Sequence, residues 1–147
     1  MEREILFRGK RVDNGEWVVG SLIMNVFYHV GDPNSIPYIL SVEGIKYDCW
    51  EDLYDEHGIY EVDPETVGQY TGLRDKNGTK IFEGDVVRFI NQFGNLANCT
   101  IVWNQNKIRY EIIRNKNISY GLLRTDIEYE VIGNIHDNPE LLEVHND

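Results

Sequence analysis

A chain of 147 residues is long enough for one domain with a substantial core or for two small units, and its 41% hydrophobic and 12% aromatic content excludes a disordered or fibrous polymer. Fourteen Lys and Arg against 25 Asp and Glu leave a formal net charge of −11. That charge repels a phosphate backbone at long range and argues against nucleic-acid binding by the whole surface.

The first stretch, ILFRGKRVDNGEWVVGSLIM, holds two apolar runs separated by Asp13-Asn14-Gly15-Glu16. Asn-Gly accepts the positive φ angles of a type I′ turn, so the segment predicts a β-hairpin. NVFYHVGDPNSIPYILSV follows, and Gly31-Asp32-Pro33-Asn34-Ser35 marks a second, looser hairpin. In YDCWEDLYDEHG, Trp50, Leu53 and Tyr54 fall at i, i+3 and i+4. This spacing predicts a short helix with Asp48, Glu51, Asp52, Asp55 and Glu56 on its outer face. IYEV (59–62) reads as a strand, and Asp63-Pro64-Glu65-Thr66 as a capped helical turn.

After Gly68 the turn signals come quickly. QYTGL, TKIF, VVRFI, CTIVW, IRYEII and EYEVIGNI read as short strands, joined by Asp75-Lys76-Asn77-Gly78, by Glu83-Gly84-Asp85 and by longer polar loops. In this reading Asn77-Gly78 takes the unusual dihedrals of a hairpin turn and Gly72 lies at a strand end. Asn138-Pro139-Glu140-Leu141-Leu142-Glu143 has the Asn, Pro and Glu of a helix start. The expected fold is mostly β with short helices. A hairpin-rich unit with its acidic helix occupies residues 1–62, and a small SH3-like β-barrel with a short terminal helix occupies 63–147.

VGQYTGLRDKNGTKIFEGDVVRF (67–89) and VIGNIHDNPELLE (131–143) resemble the signature blocks of the YopX family of phage and prophage proteins. The opening EILFRGKRVDNGEWVVGSL is similar to that family's start, so the resemblance spans most of the chain. It implies a phage-encoded protein with a small C-terminal barrel and members that self-assemble. It implies no biochemical activity that can be placed on named residues.

Chemical motifs have sufficient structural readings. Glu83 and Asp85 could be a hydrolytic pair, metal-assisted or not, but no Ser, Cys or His follows them nearby, and Gly84 suits a bend. The Asp75 turn lacks the alternating ligands of a calcium loop. His29, His57, His136 and His145 are scattered, although folding could bring His57 near Asp52 or Asp55. Cys49 and Cys99 form no dithiol motif and read as reduced, buried residues. No glycine pattern cradles phosphate. The expectation is therefore a non-enzyme with no catalytic, metal or cofactor-binding residue.

One charge feature remains. Between Trp103 and Thr125 stand Lys107, Arg109, Arg114, Lys116 and Arg124 against the single acid Glu111, with Tyr110 and Tyr120 interleaved. Such a face reads first as an ordinary solvated one; it could also meet the acidic face of Asp48, Glu51, Asp52, Asp55 and Glu56, within the chain or between identical subunits, or track single-stranded nucleic acid. If Ile108, Tyr110 and Ile112 point inward, Arg109 and Glu111 point outward and Tyr110 belongs to the core. The preferred expectation is a self-associating binding or assembly protein, with a host or phage protein as a further partner and nucleic acid as the alternative. MEREILFRGK contains no signal-peptide core and no apolar run is long enough to span a membrane, which predicts a location in the host bacterial cytoplasm with no membrane partner.

Overall fold

Among the described residues, short apolar and alternating runs bounded by turns form strands. The computed structural model describes residues 2–24, 35–41, 58–115 and 118–143, and the expected acidic helix therefore lies outside the described residues. The chain divides into two units, Met1–Gln69 and Tyr70–Asp147.

In the first unit β1 (Phe7–Lys10) pairs antiparallel with β2 (Trp17–Met24), β2 with β3 (Pro37–Ser41), and β3 with β4 (Ile59–Glu61). β5 (Gly68–Arg74) begins beside β1, through Phe7 opposite Gln69 and Arg8 opposite Gly68. Val18, Ile39 and Val62 form its buried centre, flanked by Phe7, Leu22, Tyr60 and Val67. Asp63 caps a 3₁₀ turn at Pro64–Thr66 by accepting the Glu65 N–H at 3.0 Å, as the Asp-Pro step predicts. The first hairpin exists, but its turn is not type I′. Gly15 alone takes a positive φ, +73°, while Asn14 does not.

In the second unit Tyr70 and Arg74 of β5 pair with Phe82 and Lys80 of β6 (Lys80–Phe82). Gly72 sits inside β5, not at its end, and its φ of +92° accompanies a bulge. In the turn only Gly78 has positive φ, and its N–H reaches the Asp75 carbonyl at 3.0 Å, so Asn77 keeps an ordinary backbone. β7 (Asp85–Ile90), β8 (Leu96–Asn104), β9 (Arg109–Asn115) and β10 (Ile118–Leu122) form a meander, and β11 (Glu130–Asn134) returns to β7. β10 occupies a stretch whose sequence predicts a loop.

This sheet has the order β10-β9-β8-β7-β11 and is open. The expected closed barrel would need a ladder between β10 and β11. Both carry register shifts, at Ile118/Ser119 and Ser119/Gly121 in one and Val131/Gly133 in the other, and they remain its two edges. The core gathers Ile81, Val87, Phe89, Ala97, Cys99, Ile101, Ile112 and Tyr129. A 3₁₀ turn at Pro139–Leu142 stands where the terminal helix was expected. Asn138 gives it no side-chain cap, because its Oδ1 accepts from the Asn134 N–H at 3.4 Å. Among the described residues no helix is long and apolar enough to cross a membrane.

Candidate functional site

Three cations of the basic stretch, Lys107, Arg109 and Arg124, have acidic neighbours. Glu111, 4% exposed on β9, accepts from Arg109 Nε at 2.9 Å and lies 3.8 Å from Lys107 Nζ. Hydrogen bonds from Asn104 and Arg109 hold its carboxyl below the usual carboxylate range despite burial. Arg124 is clamped by Asp126, Nε to Oδ1 at 2.8 Å with a second contact from Nη2 to Oδ2. Lys116 lies outside the described residues, as do Asp48, Glu51, Asp52, Asp55 and Glu56.

The tyrosines serve packing. Tyr110 contacts the core and meets Trp103 edge-on at 5.0 Å between ring centres, while Tyr120 meets Phe89 at 5.5 Å. Ile108 departs from the inward alternation. It sits in the β8–β9 loop with φ +54° and is 72% exposed.

The signature residues hold shape. Asp75 Oδ1 accepts the N–H groups of Asn77 and Thr79 at 2.9 Å each, and Oδ2 accepts that of Val131 at 2.9 Å. Asp85, 2% exposed, accepts the Phe82 N–H at 2.8 Å. Gly84 donates to Ile101 O at 2.8 Å and accepts from Ile135 N–H at 2.9 Å. Burial pushes the Glu83 carboxyl upward. Among the described residues no three His, Cys, Asp or Glu side chains converge as a metal site.

What the structure does assemble is the β7–β8 end of the second unit. Ile90 and Leu96 face each other across the hairpin, with Phe93 in the loop between them. They are 66%, 70% and 73% exposed. Beside them a groove of about 610 Å³ is lined by Arg88, Arg114, Asn98, Leu96 and Leu141, among others. Arg88 Nε donates to Asn98 Oδ1 at 3.2 Å, and among the described residues neither Arg88 nor Arg114 has an ion-pair partner. A second groove of about 400 Å³ also includes Arg88 and Leu96, but its carboxylates are Asp126, Glu128 and Glu130. Lys76 Nζ lies 3.5 Å from Glu130. Among the predicted basic residues that the structure describes, Arg114 alone reaches the first groove. Arg88 was missed because it stands on a strand outside the basic stretch. Its one sequence signal is a charge within the apolar run VVRFI.

A family model described as YopX protein matches residues 7–143. No curated protein matches the chain. Among solved structures it is similar to the crystal structure of protein EF1440 from Enterococcus faecalis, with a TM-score of 0.54 and 23% identity over 97% of this chain and 100% of that one. At that identity the likeness is one of fold.

Proposed function

The chain belongs to the YopX family, and from that premise we propose that it is a phage or prophage protein that works by binding and by assembling with further copies of itself. Its setting is the cytoplasm of the host bacterium, and no residue is assigned a catalytic role. The observation that carries this reading is the exposure of Ile90, Phe93 and Leu96 together at one hairpin end. Single exposed apolar residues are ordinary on a protein surface, but a cluster rimmed by polar groups is the usual mark of an interaction site.

Nucleic-acid binding draws less support, since Glu111 and Asp126 take up Lys107, Arg109 and Arg124. Light scattering behind size exclusion tests the assembly reading. A concentration-dependent dimer or larger species is expected, and a monomer at high protein concentration overturns it.

A further inference from the structure

We propose that the β7–β8 end of the second unit closes an isologous dimer in which the Arg88–Arg114 groove of one copy receives the Asp126–Glu128–Glu130 rim of the other. The proposal rests on the self-association argued above and names its surface. Leu96 and Arg88 are walls common to both grooves, Arg88 standing opposite Glu130 in the β7–β11 ladder, so Arg114 is the cation particular to the first groove and Asp126, Glu128 and Glu130 are the acids particular to the second. A basic groove, an exposed apolar centre and an acidic groove thus adjoin on one surface. A two-fold rotation through such a centre sets Leu96 against Leu96 and each basic groove against an acidic one, so every contact forms twice.

The charges left unmatched agree with this arrangement. Around the acidic groove Glu130 lies beside Lys76 and Asp126 is held by Arg124, while Glu128 has no ion-pair partner among the described residues. In the basic groove Arg114 is equally without one, and the carboxylate that lines it, Glu143, pairs with neither arginine. Arg114 with Glu128 of the second copy is therefore the pair that the unmatched charges favour. Two copies of a chain with net charge −11 repel at a distance, and a surface where the sign reverses locally offsets that repulsion at contact. The apolar walls Leu96 and Leu141, without an aromatic ring in the basic groove, suit a protein surface better than stacked bases.

The test uses Arg114→Glu, Glu128→Arg and their equimolar mixture, with sedimentation velocity as the readout and circular dichroism to verify the fold. Each variant alone sets like charges together twice and should weaken self-association at least about tenfold, a coupling of the size seen for close interfacial charge pairs. The mixture pairs opposite charges at both positions and should restore a dimer that neither variant forms. Leu96→Asp, at a position 70% exposed, tests the centre without disturbing the core and should also yield monomer. Folded variants that associate as tightly as the unsubstituted protein, or a mixture that stays monomeric, overturn the proposed face while leaving self-association intact. An unsubstituted protein that is monomeric sinks self-association itself. Binding of a single-stranded oligonucleotide at low salt that Arg114→Glu abolishes assigns the groove to nucleic acid and overturns the dimer.

Discussion

Asp75 and Val131 lie 56 residues apart in sequence, and a 2.9 Å hydrogen bond from the Val131 N–H to Asp75 Oδ2 joins them. The bond links the β5–β6 turn to β11, and with it the two sequence blocks on which the family resemblance rests. Asp75 is 7% exposed, and burial alone would raise its pKa. The N–H donors of Val131, Thr79 and Asn77, with the nearby Lys76 charge, together outweigh burial and leave it below 3.8.

Asp75→Asn keeps the shape but removes the charge and one acceptor oxygen. It should cost about 1.5–3 kcal/mol at pH 7, the range for a hydrogen bond to a charged group. Because the folded carboxyl titrates below its ordinary value of 3.8, its contribution is present above that pH. It is lost as pH falls through the folded pKa. Urea unfolding from pH 7 to pH 2 should show a difference between the wild type and Asp75→Asn that holds down to about pH 5 and narrows as pH falls below 3.8. A constant difference across that range contradicts the role assigned to the charge.

Ile108 holds a left-handed backbone, φ +54°, with its β-branched side chain 72% exposed. An L-residue there costs about 1–2 kcal/mol, and glycine avoids that strain but loses more chain entropy on folding. Ile108→Gly should therefore raise stability by about 0.5–1 kcal/mol, read as a higher denaturant midpoint with an unchanged m-value. A lower midpoint would mean that the side chain makes contacts worth more than the strain.

Thr100 Oγ1 is buried without a hydrogen-bond partner. Thr100→Val fills the same space without the hydroxyl and should stabilise by about 1 kcal/mol, at the lower end of what an unsatisfied buried polar group costs. Thermal melts of the two proteins decide it, and a lower Tm for the valine variant counts against the assignment.

Cys99 is fully buried, and burial pushes its thiol up to about 12, against a smaller opposite effect of Arg114. With Cys49 replaced by Ser, the native protein at pH 8 should resist a thiol-alkylating reagent, and labelling should follow the unfolding rate. Immediate labelling of the folded protein would mean that the β7–β8–β9 layer opens far more readily than its packing implies.

The sequence was most readable where local signals agreed. Asp13 to Glu16 and Asp75 to Gly78 were read as turns because Asn-Gly between β-branched runs leaves few alternatives. Even so, glycine alone takes the positive φ in both. β10 escaped notice because Ser119 and Gly121 interrupt its pattern at the bulges. Glu111 was expected to point outward, and it does leave the core face, but Asn104 and Arg109 close over it. Spacing along β9 cannot reveal a neighbour supplied by β8. The same limit hid the Arg88–Arg114 groove, whose residues are brought together by strand order. Asp75 carried a local turn signal, whereas its partner at Val131 is a backbone group with no side-chain signature.

The order β10-β9-β8-β7-β11 also has a consequence in time. β7, β8, β9 and β10 are joined by successive hairpins, so a growing chain can pair them as they leave the ribosome. β7 has its second neighbour only when Glu130–Asn134 has been made, and until then a strand of Val86, Val87 and Phe89 presents an open edge. Nascent chains stalled before Glu130 should be protease-sensitive and prone to edge-to-edge pairing, whereas chains released just after Leu142 should be protected. Glu130–Asn134 is thus the segment whose synthesis ends the period of greatest risk for the molecule.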